Sequence, residues 1–225
     1  MPAFALIHQP LFDGLPDSLL QHLEHHLTPW PRDAGRMLFV KGDPENFVAF
    51  VQTGHVYHSL VEPGGREVII DYTSAGGMVG ECALLLPRGR DFTAQLSRDC
   101  RLFLLHQRHF APLQQDVQFM SRVHQQISQR LKRLSDFMES SCLYRLEARL
   151  ARHLLNHMGS GEEPEVLLPG NQSILAAMLN ASRPRINTLL QQWQRDGLIQ
   201  PRRNTLRIAN SEQLRRIAIA ERSMA

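Results

Sequence analysis

The feature that most constrains this chain is a heptad pattern of apolar residues. It separates an upstream stretch of short runs divided by glycine turns from a downstream, arginine-rich stretch. Apolar side chains and one histidine recur at alternating steps of four and three residues, which is typical of a coiled-coil seam about four heptads long. The pattern predicts one long helix from about Phe110 to Ser140, with these seam residues: Leu113, Val117, Met120, His124, Ile127, Leu131, Leu134 and Met138.

A helix of about 30 residues extends about 45 Å, which is longer than a small domain. We therefore interpret the seam as a homodimer interface, with packing on the chain's own domain as the alternative. His124 interrupts the apolar seam. It is either a polar residue that fixes the helix register or a pH-sensitive or ligand-contacting switch.

Upstream of the helix, glycine-rich turns divide the chain into short runs that are typical of β-strands. These turns include Gly42-Asp43, Gly64-Gly65 and Gly76-Gly77. Many short strands at close spacing predict a β-barrel or β-roll, preceded by a short helix at about Pro16–Leu27. The predicted strands are Met37–Val40, Phe47–Gln52, His55–Val61, Glu67–Tyr72, Ala94–Leu96 and Arg101–Leu105.

Downstream, residues 172–190 read QSILAAMLNASRPRINTLL and predict two helices joined by a tight turn. Asn180 suits a left-handed turn position, Ser182 a helix N-cap, and Pro184 the first turn of the second helix. The pattern favours a helix-turn-helix over an ordinary helical hairpin. Its inward residues would be Leu175, Ala176, Leu179, Ile186, Leu189 and Leu190, and its outward residues Arg183, Arg185, Asn187 and Thr188.

A basic β-hairpin is predicted after the second helix, at Gln200–Ile208, with Arg202 and Arg203 near its tip. A hairpin of this kind beside a helix-turn-helix is a wing suited to phosphate contacts. From residue 141 onward, twelve arginines face seven acidic residues. This excess favours a nucleic-acid surface, although on charge alone a solvated basic face is equally compatible.

Several classes of protein are disfavoured. The three cysteines are scattered, which indicates a reducing, cytoplasmic compartment rather than a disulfide framework or a metal knuckle. No apolar run approaches the roughly 18 residues of a membrane helix, and Met1 to Leu11 does not read as a secretory signal. No nucleophile elbow, P-loop or metalloprotease helix is present, so we do not expect an enzyme.

In order and over essentially the full length, the chain resembles the cyclic-AMP receptor protein (Crp/Fnr) family of bacterial regulators. The resemblance implies an α+β chain with a cyclic-nucleotide-binding-like β-roll sensor domain (1–109), a dimerisation helix (110–140) and a winged helix-turn-helix (141–225). Its implied partners are double-stranded DNA, a second copy of the chain and RNA polymerase. The segments that carry it are PLFDGLPDSLL, Lys41-Gly42-Asp43, FVQTGHVYHSLVEPGGREVII, GGMVGECALL and ASRPRINTLLQQWQRDGLI.

The resemblance also assigns DNA contacts. Arg183 would read a guanine through O6 and N7, while Asn171 and Ser182 would contact phosphates. Pro184 stands where the best-known member of the family has a glutamate, so a different operator sequence is implied.

The sensor domain departs from the family at one point. In cyclic-nucleotide-binding members, a Gly-Glu pair opens a phosphate-binding cassette that closes with Arg followed by Ser/Thr-Ala. Here Gly80-Glu81 is present, but Phe92 precedes Thr93-Ala94 in place of the arginine. Because a charge-assisted phosphate contact is lost, we expect that cyclic AMP is not the effector. The alternative is that Arg90 substitutes; the expected pocket residues are Gly80, Glu81, Arg90, Phe92, Thr93 and His124.

The effector and cofactor are otherwise unknown from the sequence. No cysteine precedes Cys82, which disfavours the iron–sulfur cluster of some relatives. Haem is one alternative, with His55, His58 or His124 as axial ligand, and a ligand-independent regulator with Phe92 filling its pocket is another. The pairs His22/His26 and His153/His157 have metal-ligand spacing, but neither has an evident third ligand, so no metal site is predicted.

Overall fold

The structure is a computed structural model that describes residues 9–31, 33–85, 89–159, 164–167, 172–202 and 205–219. The chain divides into two compact units. The first extends up to Arg66 and from Ile70 to Leu134, and the second contains Glu67–Ile69 and the chain from Ser135 onward. Among the described helices, none is long and apolar enough to cross a bilayer.

The N-terminal half forms two four-stranded antiparallel sheets, with strand orders β1-β8-β3-β6 and β2-β7-β4-β5. A helix α1 (Asp17–His26) precedes them, and a short helix α2 (Cys82–Leu85) follows β6. Every strand predicted from the sequence is confirmed, with two-residue strands added at β1 and β6. The strands are β1 (Thr28–Pro29), β2 (Met37–Phe39), β3 (Phe47–Thr53), β4 (His55–Val61), β5 (Glu67–Ser74), β6 (Met78–Val79), β7 (Thr93–Leu96) and β8 (Arg101–His106).

Strand β3 shows how this unit is packed, because it is buried on both faces. Val48 and Phe50 point into a core shared with the helices, whose members include Leu23 of α1. Ala49 and Val51 point into a second core that lies between the two sheets. The alternation follows from the two-residue period of a strand, and it explains why β3 reads as a continuous apolar run.

The long helix predicted from Phe110 to Ser140 needs one correction. A short helix α3 (Ala111–Gln115) ends at Asp116, and the long helix α4 begins at Val117 and continues to Leu143. The Asp116 carboxylate accepts the Phe119 backbone N–H at 2.7 Å, as an N-cap does. The break is therefore encoded by a capping residue within the heptad pattern.

The second unit contains helices and a three-stranded antiparallel sheet of order β10-β11-β9. Its core includes Leu150, Leu175, Ile186, Trp193 and Leu206. The elements are α5 (Leu146–Asn156), β9 (Glu165–Leu167), α6 (Gln172–Met178), α7 (Arg183–Arg195), β10 (Ile199–Pro201), β11 (Thr205–Ile208) and α8 (Ser211–Ala218). The sequence reading did not anticipate β9 and α8.

Candidate DNA-binding surface and effector pocket

Helices α6 and α7 form the predicted two-helix motif. Asn180 in the connecting turn has φ of +47°, the left-handed conformation that its position requires. All the residues expected to face inward are buried. The fully buried side chains of Leu175 on α6 and Ile186 on α7 belong to one core, which fixes the face that α7 leaves in solvent.

The N-terminal end of α7 presents the exposed side chains of Arg183, Arg185 and Thr188. Ser182 occupies the N-cap position with extended backbone, but its side chain accepts no bond from the helix, so the hydroxyl stays available. Asn187 differs from its expected outward position because it is half-buried. Its Oδ1 is buried without a hydrogen-bond partner among the described residues.

The predicted wing is the hairpin of β10 and β11, paired in antiparallel register from Ile199↔Ile208 to Pro201↔Leu206. Arg202 at its tip is exposed, and its backbone N–H donates to Thr205 O at 2.9 Å. The remaining expected contacts, Asn171 and Arg203, lie outside the described residues.

The most informative feature of the sensor unit is Arg130 of α4, whose side chain is buried. Its guanidinium donates to the Glu81 carboxylate, to Asp71 Oδ2 at 3.2 Å and to Thr73 Oγ1 at 3.3 Å. Both carboxylates are almost fully buried. Arg133, which is exposed, donates to the two Asp71 oxygens at 2.7 and 3.0 Å, so a second cation joins the buried carboxylates and Arg130 in one network.

Phe92 lies at the edge of this network. Its ring stacks on His58, with centroids 4.3 Å apart and planes at 17°, and the Arg130 guanidinium carbon lies 5.6 Å from its centroid. The His58 Nε2 is 3.1 Å from Thr73 Oγ1. The Arg130 guanidinium that pairs with Glu81 therefore also lies near the Phe92 ring, which in turn stacks on His58.

Arg90, the expected substitute for the missing arginine, has other contacts. Its guanidinium lies over the rings of Phe39 and Phe47, 4.2 and 4.6 Å from their centroids, and donates to Phe47 O at 2.7 Å. Burial lowers the pKa of Arg90, while Glu45 at 4.0 Å acts in the opposite direction. A Cβ at Gly80, where φ is +80°, would overlap this guanidinium, so the cassette glycine is needed for the close approach.

The two remaining residues expected in the effector pocket are Thr93 and His124. Thr93 is buried, and its hydroxyl accepts the Lys41 backbone N–H at 3.2 Å. His124 is exposed on α4, so its place in the effector pocket stays a prediction. Its seam position places it on the uncovered face of the helix.

Sequence reasoning missed Asp71, Thr73, Arg130 and Arg133. Two signals pointed to them. Asp71 occupies an inward position of β5 between the buried residues Ile69 and Thr73. Arg130 lies on the stripe of α4 that is otherwise buried, at Phe119 and Val123. An acid on an apolar strand face and a base on an apolar helix face can satisfy each other only if they pair.

A cavity of about 490 Å³ adjoins this network, because Thr73 and Arg133 contribute to its lining beside the polar side of α4. Its lining includes Tyr72, Arg122, Gln125, Gln129 and Arg133. None of the pocket residues expected from the sequence contributes to it.

The predicted seam divides between two faces. Met120 and Ile127 pack against the core of their own unit, and Leu113 on α3 is fully buried there. Leu134 is half-buried on α4. The remaining four members are spaced by seven residues on α4 and lie in solvent: Val117 (82% exposed), His124, Leu131 (68%) and Met138 (64%). One heptad position therefore anchors the helix, and the other leaves an uncovered apolar stripe.

We expect acidification to destabilise the sensor unit through His58. Burial first, then the charges of Arg130 and Arg133, holds the pKa of His58 well below its ordinary 6.5. The unfolded chain binds this proton near pH 6.5, whereas the folded chain does not. The contribution of His58 to the free energy of unfolding is therefore fully present above that pH and is lost as the pH falls. For this one proton, the free energy of unfolding changes by at most about 1.4 kcal/mol per pH unit.

Urea unfolding between about pH 7.5 and pH 5.5 measures this effect. His58→Gln, which keeps a polar group near Thr73, should reduce the pH dependence without abolishing it, because burial also lowers the pKa of His153, to about 4, and the pKa values of His26 and His109. His124→Gln on the exposed face should leave the pH dependence unchanged. An equally steep loss in the His58→Gln protein would assign the proton uptake to another group.

Two family models match the chain. The cyclic nucleotide-binding domain matches residues 32–116, and the Crp-like helix-turn-helix domain matches residues 148–217. The first coincides with the strand-rich part that contains the Arg130 partners Asp71 and Glu81. The second coincides with α5 to α8 and the basic hairpin.

Curated relatives and solved structures agree with these matches. A CRP-like cAMP-activated global transcriptional regulator of Mycobacterium tuberculosis is 22% identical over 214 residues, covering 92% of this chain and 96% of the relative. The cAMP-activated global transcriptional regulator Vfr of Pseudomonas aeruginosa is 23% identical, covering 90% and 96%. The c-di-GMP responsive global regulator CLP of Xanthomonas campestris matches with a TM-score of 0.72 at 20% identity, covering 87% of this chain and 100% of that one.

Proposed function

This chain belongs to the cyclic-AMP receptor protein (Crp/Fnr) family of transcription regulators, and from that membership we propose that it binds a pseudo-palindromic DNA site as a homodimer, without responding to ordinary cyclic AMP. The proposal that cyclic AMP is not the effector rests on the buried contact of Arg130 with Glu81 and Asp71.

The DNA contacts follow from the helix-turn-helix. The exposed residues Arg183, Arg185 and Thr188 lie at the end of α7 that such motifs insert into the major groove. Arg202 on the hairpin is free to reach the phosphate backbone, as is the Ser182 hydroxyl. In a two-fold dimer, the two recognition helices would contact half-sites about 34–36 Å apart.

The sensor pocket supports a regulator that cyclic AMP does not switch. A cyclic phosphate beside Glu81 and Asp71 would place a third negative charge next to two buried carboxylates. Displacing Arg130 would leave Asp71 with Arg133 alone and remove the described partner of Glu81, and an unpaired buried charge is costly. Phe92 stands at the position of the family's arginine, and the other cation of the cassette, Arg90, is engaged by the rings of Phe39 and Phe47 and by Phe47 O.

A second candidate function is a regulator that needs no small ligand at all. Two observations favour it: Arg130 of the chain itself pairs with Glu81, and the Phe92–His58 stack lies beside the same guanidinium. The haem alternative has less support. Coordination through His58 would require this stack and the Thr73 contact to be broken, and His55 and His124 are exposed.

The proposed dimer is tested by Leu131→Glu. A charge in the middle of the exposed stripe of α4 should convert a dimer at micromolar concentration into a monomer, measured by sedimentation or gel filtration with light scattering. Gln129→Glu is the matched control, because this residue lies on the same helix but lines the cavity on another side. An unchanged dimer in Leu131→Glu would contradict the assigned interface.

The proposed function as a whole is tested by selecting DNA from a random duplex pool at fixed salt, without ligand, with cyclic AMP and with haem. We expect a two-fold-symmetric site to be enriched without ligand and unchanged by cyclic AMP. Enrichment only with cyclic AMP would overturn the sensor assignment while leaving DNA binding intact. Failure to enrich any site under all conditions would overturn DNA binding.

A further inference from the structure

Three histidines from two separate parts of the sensor unit meet at its surface. His22 and His26 are one helical turn apart on α1, and His109 ends a 3₁₀ turn (Gln107–His109) that precedes α3. One possible donor atom from each lies within 4.8 Å of the other two. All three side chains are half-buried.

The contacts among these rings are close. The rings of His26 and His109 stack with centroids 3.8 Å apart and planes at 14°, and the His22 ring lies 4.6 Å from that of His26. The His22 Nε2 also lies 3.0 Å from the His109 carbonyl oxygen, which ties α1 to the turn. Three imidazoles thus converge without an apolar side chain between them.

We propose that His22, His26 and His109 form a Zn²⁺ site. Imidazole nitrogen is a preferred zinc ligand, and three histidines with water in the fourth position form a known tetrahedral arrangement. Zn–N bonds of about 2.0–2.1 Å place tetrahedral donor atoms about 3.4 Å apart, so rotation of the rings is sufficient to close the site. The i, i+4 pair supplies two ligands from one rigid helix.

The packing beneath the site holds its parts in place. Leu19 and Leu23 anchor α1 in the helical core, and Phe110, next to His109, is buried in the same core. A bound ion would therefore cross-link α1 to the turn that leads into α3 and then α4. Zn²⁺ that binds only the folded protein must stabilise this unit by mass action.

The neighbouring charges act against the ion. Arg108 is exposed, and its Nε–H donates to His109 Nε2 at 2.9 Å, so it competes for a donor atom and adds a positive charge. His25 is exposed beside His26, with ring centroids 4.8 Å apart. Removing the Arg108 guanidinium should consequently strengthen binding, an effect opposite in sign to that of removing a ligand.

The test uses the full chain without a polyhistidine tag, stripped with a chelator and titrated with Zn²⁺ alone against a chromophoric competitor. We expect one ion per chain. His109→Gln should weaken binding at least about ten-fold, since even second-sphere partners contribute that much, and Arg108→Ala should strengthen it. His157→Gln is the matched control, because His153 and His157 have the same spacing but no third ligand among the described residues.

A second readout separates a metal effect from misfolding. Zn²⁺ should raise the melting temperature of the wild-type chain but not that of His109→Gln, while the two melt alike without metal. Co²⁺ should give the intense visible bands of a four-coordinate site. Absence of stoichiometric binding, or equal binding by His109→Gln, would overturn the proposal. The test involves no DNA, so its outcome is independent of the proposed function.

Discussion

Arg130→Met is expected to lower the free energy of unfolding of the sensor unit by about 3–5 kcal/mol, because removing one member of a buried ion network leaves the others uncompensated. In this chain Asp71 and Glu81 share the Arg130 guanidinium, and their side chains are 2% and 1% exposed. Asp71 retains Arg133, whereas one Glu81 oxygen already has no hydrogen-bond partner among the described residues.

The measurement can be confined to the sensor unit, because the chain has two tryptophans. Trp30 belongs to the first unit and Trp193 to the second. In a Trp193→Phe background, the fluorescence of Trp30 during urea unfolding reports the first unit. Arg133→Met should cost less than Arg130→Met, since the Arg133 side chain is 42% exposed and solvent screens its charge.

A rescue variant distinguishes the network from simple loss of packing. Replacing a whole buried ion network is often tolerated, whereas removing one partner is not. Adding Asp71→Asn and Glu81→Gln to Arg130→Met should therefore recover much of the lost stability. A loss below about 1 kcal/mol in Arg130→Met, or no recovery in the triple variant, would mean that the charges do not compensate one another as inferred.

The network also sets a condition on any effector of this pocket. A ligand shifts a conformational equilibrium only by its differential affinity for the two states. One that enters beside Glu81 must compensate both carboxylates for the loss of Arg130, so cationic or hydrogen-bond-donating groups fit this pocket better than a phosphate. Arg130→Met is then expected to respond to different small molecules from the wild type.

The elements predicted from the sequence were those whose signals are local. The strands alternate or run between glycine turns, as at Gly76-Gly77, and the helix-turn-helix carries Asn180, Ser182 and Pro184 at positions where backbone geometry restricts the residue type. Such features need no knowledge of distant residues. Short elements such as β6 were missed because two residues contain no measurable period.

The pocket could not be predicted in the same way, since its pairs are long-range. Arg130 and Asp71 are separated by 59 residues. The family pattern directed attention to Arg90 and His124, but Arg90 packs against aromatic rings and His124 faces solvent.

The heptad pattern likewise shows which residues are apolar but not which of two surfaces covers each one. That division is decided by tertiary packing.

Arg183→Ala is expected to produce the largest loss of DNA specificity. A bidentate arginine–guanine contact contributes about 1–3 kcal/mol of discrimination, roughly a 5- to 150-fold change in affinity per half-site. Arg183 is the first residue of α7 and is exposed, which suits a contact to a base edge. The measurement is binding to the selected site and to single-base variants of it at one salt concentration.

The control variants separate base contacts from phosphate contacts. Arg195→Ala lies at the far end of α7, about 18 Å along the helix axis, and should leave base preference unchanged. Arg202→Ala on the hairpin should weaken binding to all sequences equally and reduce the salt dependence by about one released ion. If Arg183→Ala behaved like Arg202→Ala, with base preference retained at every position, Arg183 would be a phosphate contact and another residue of α7, such as Arg185, would read the bases.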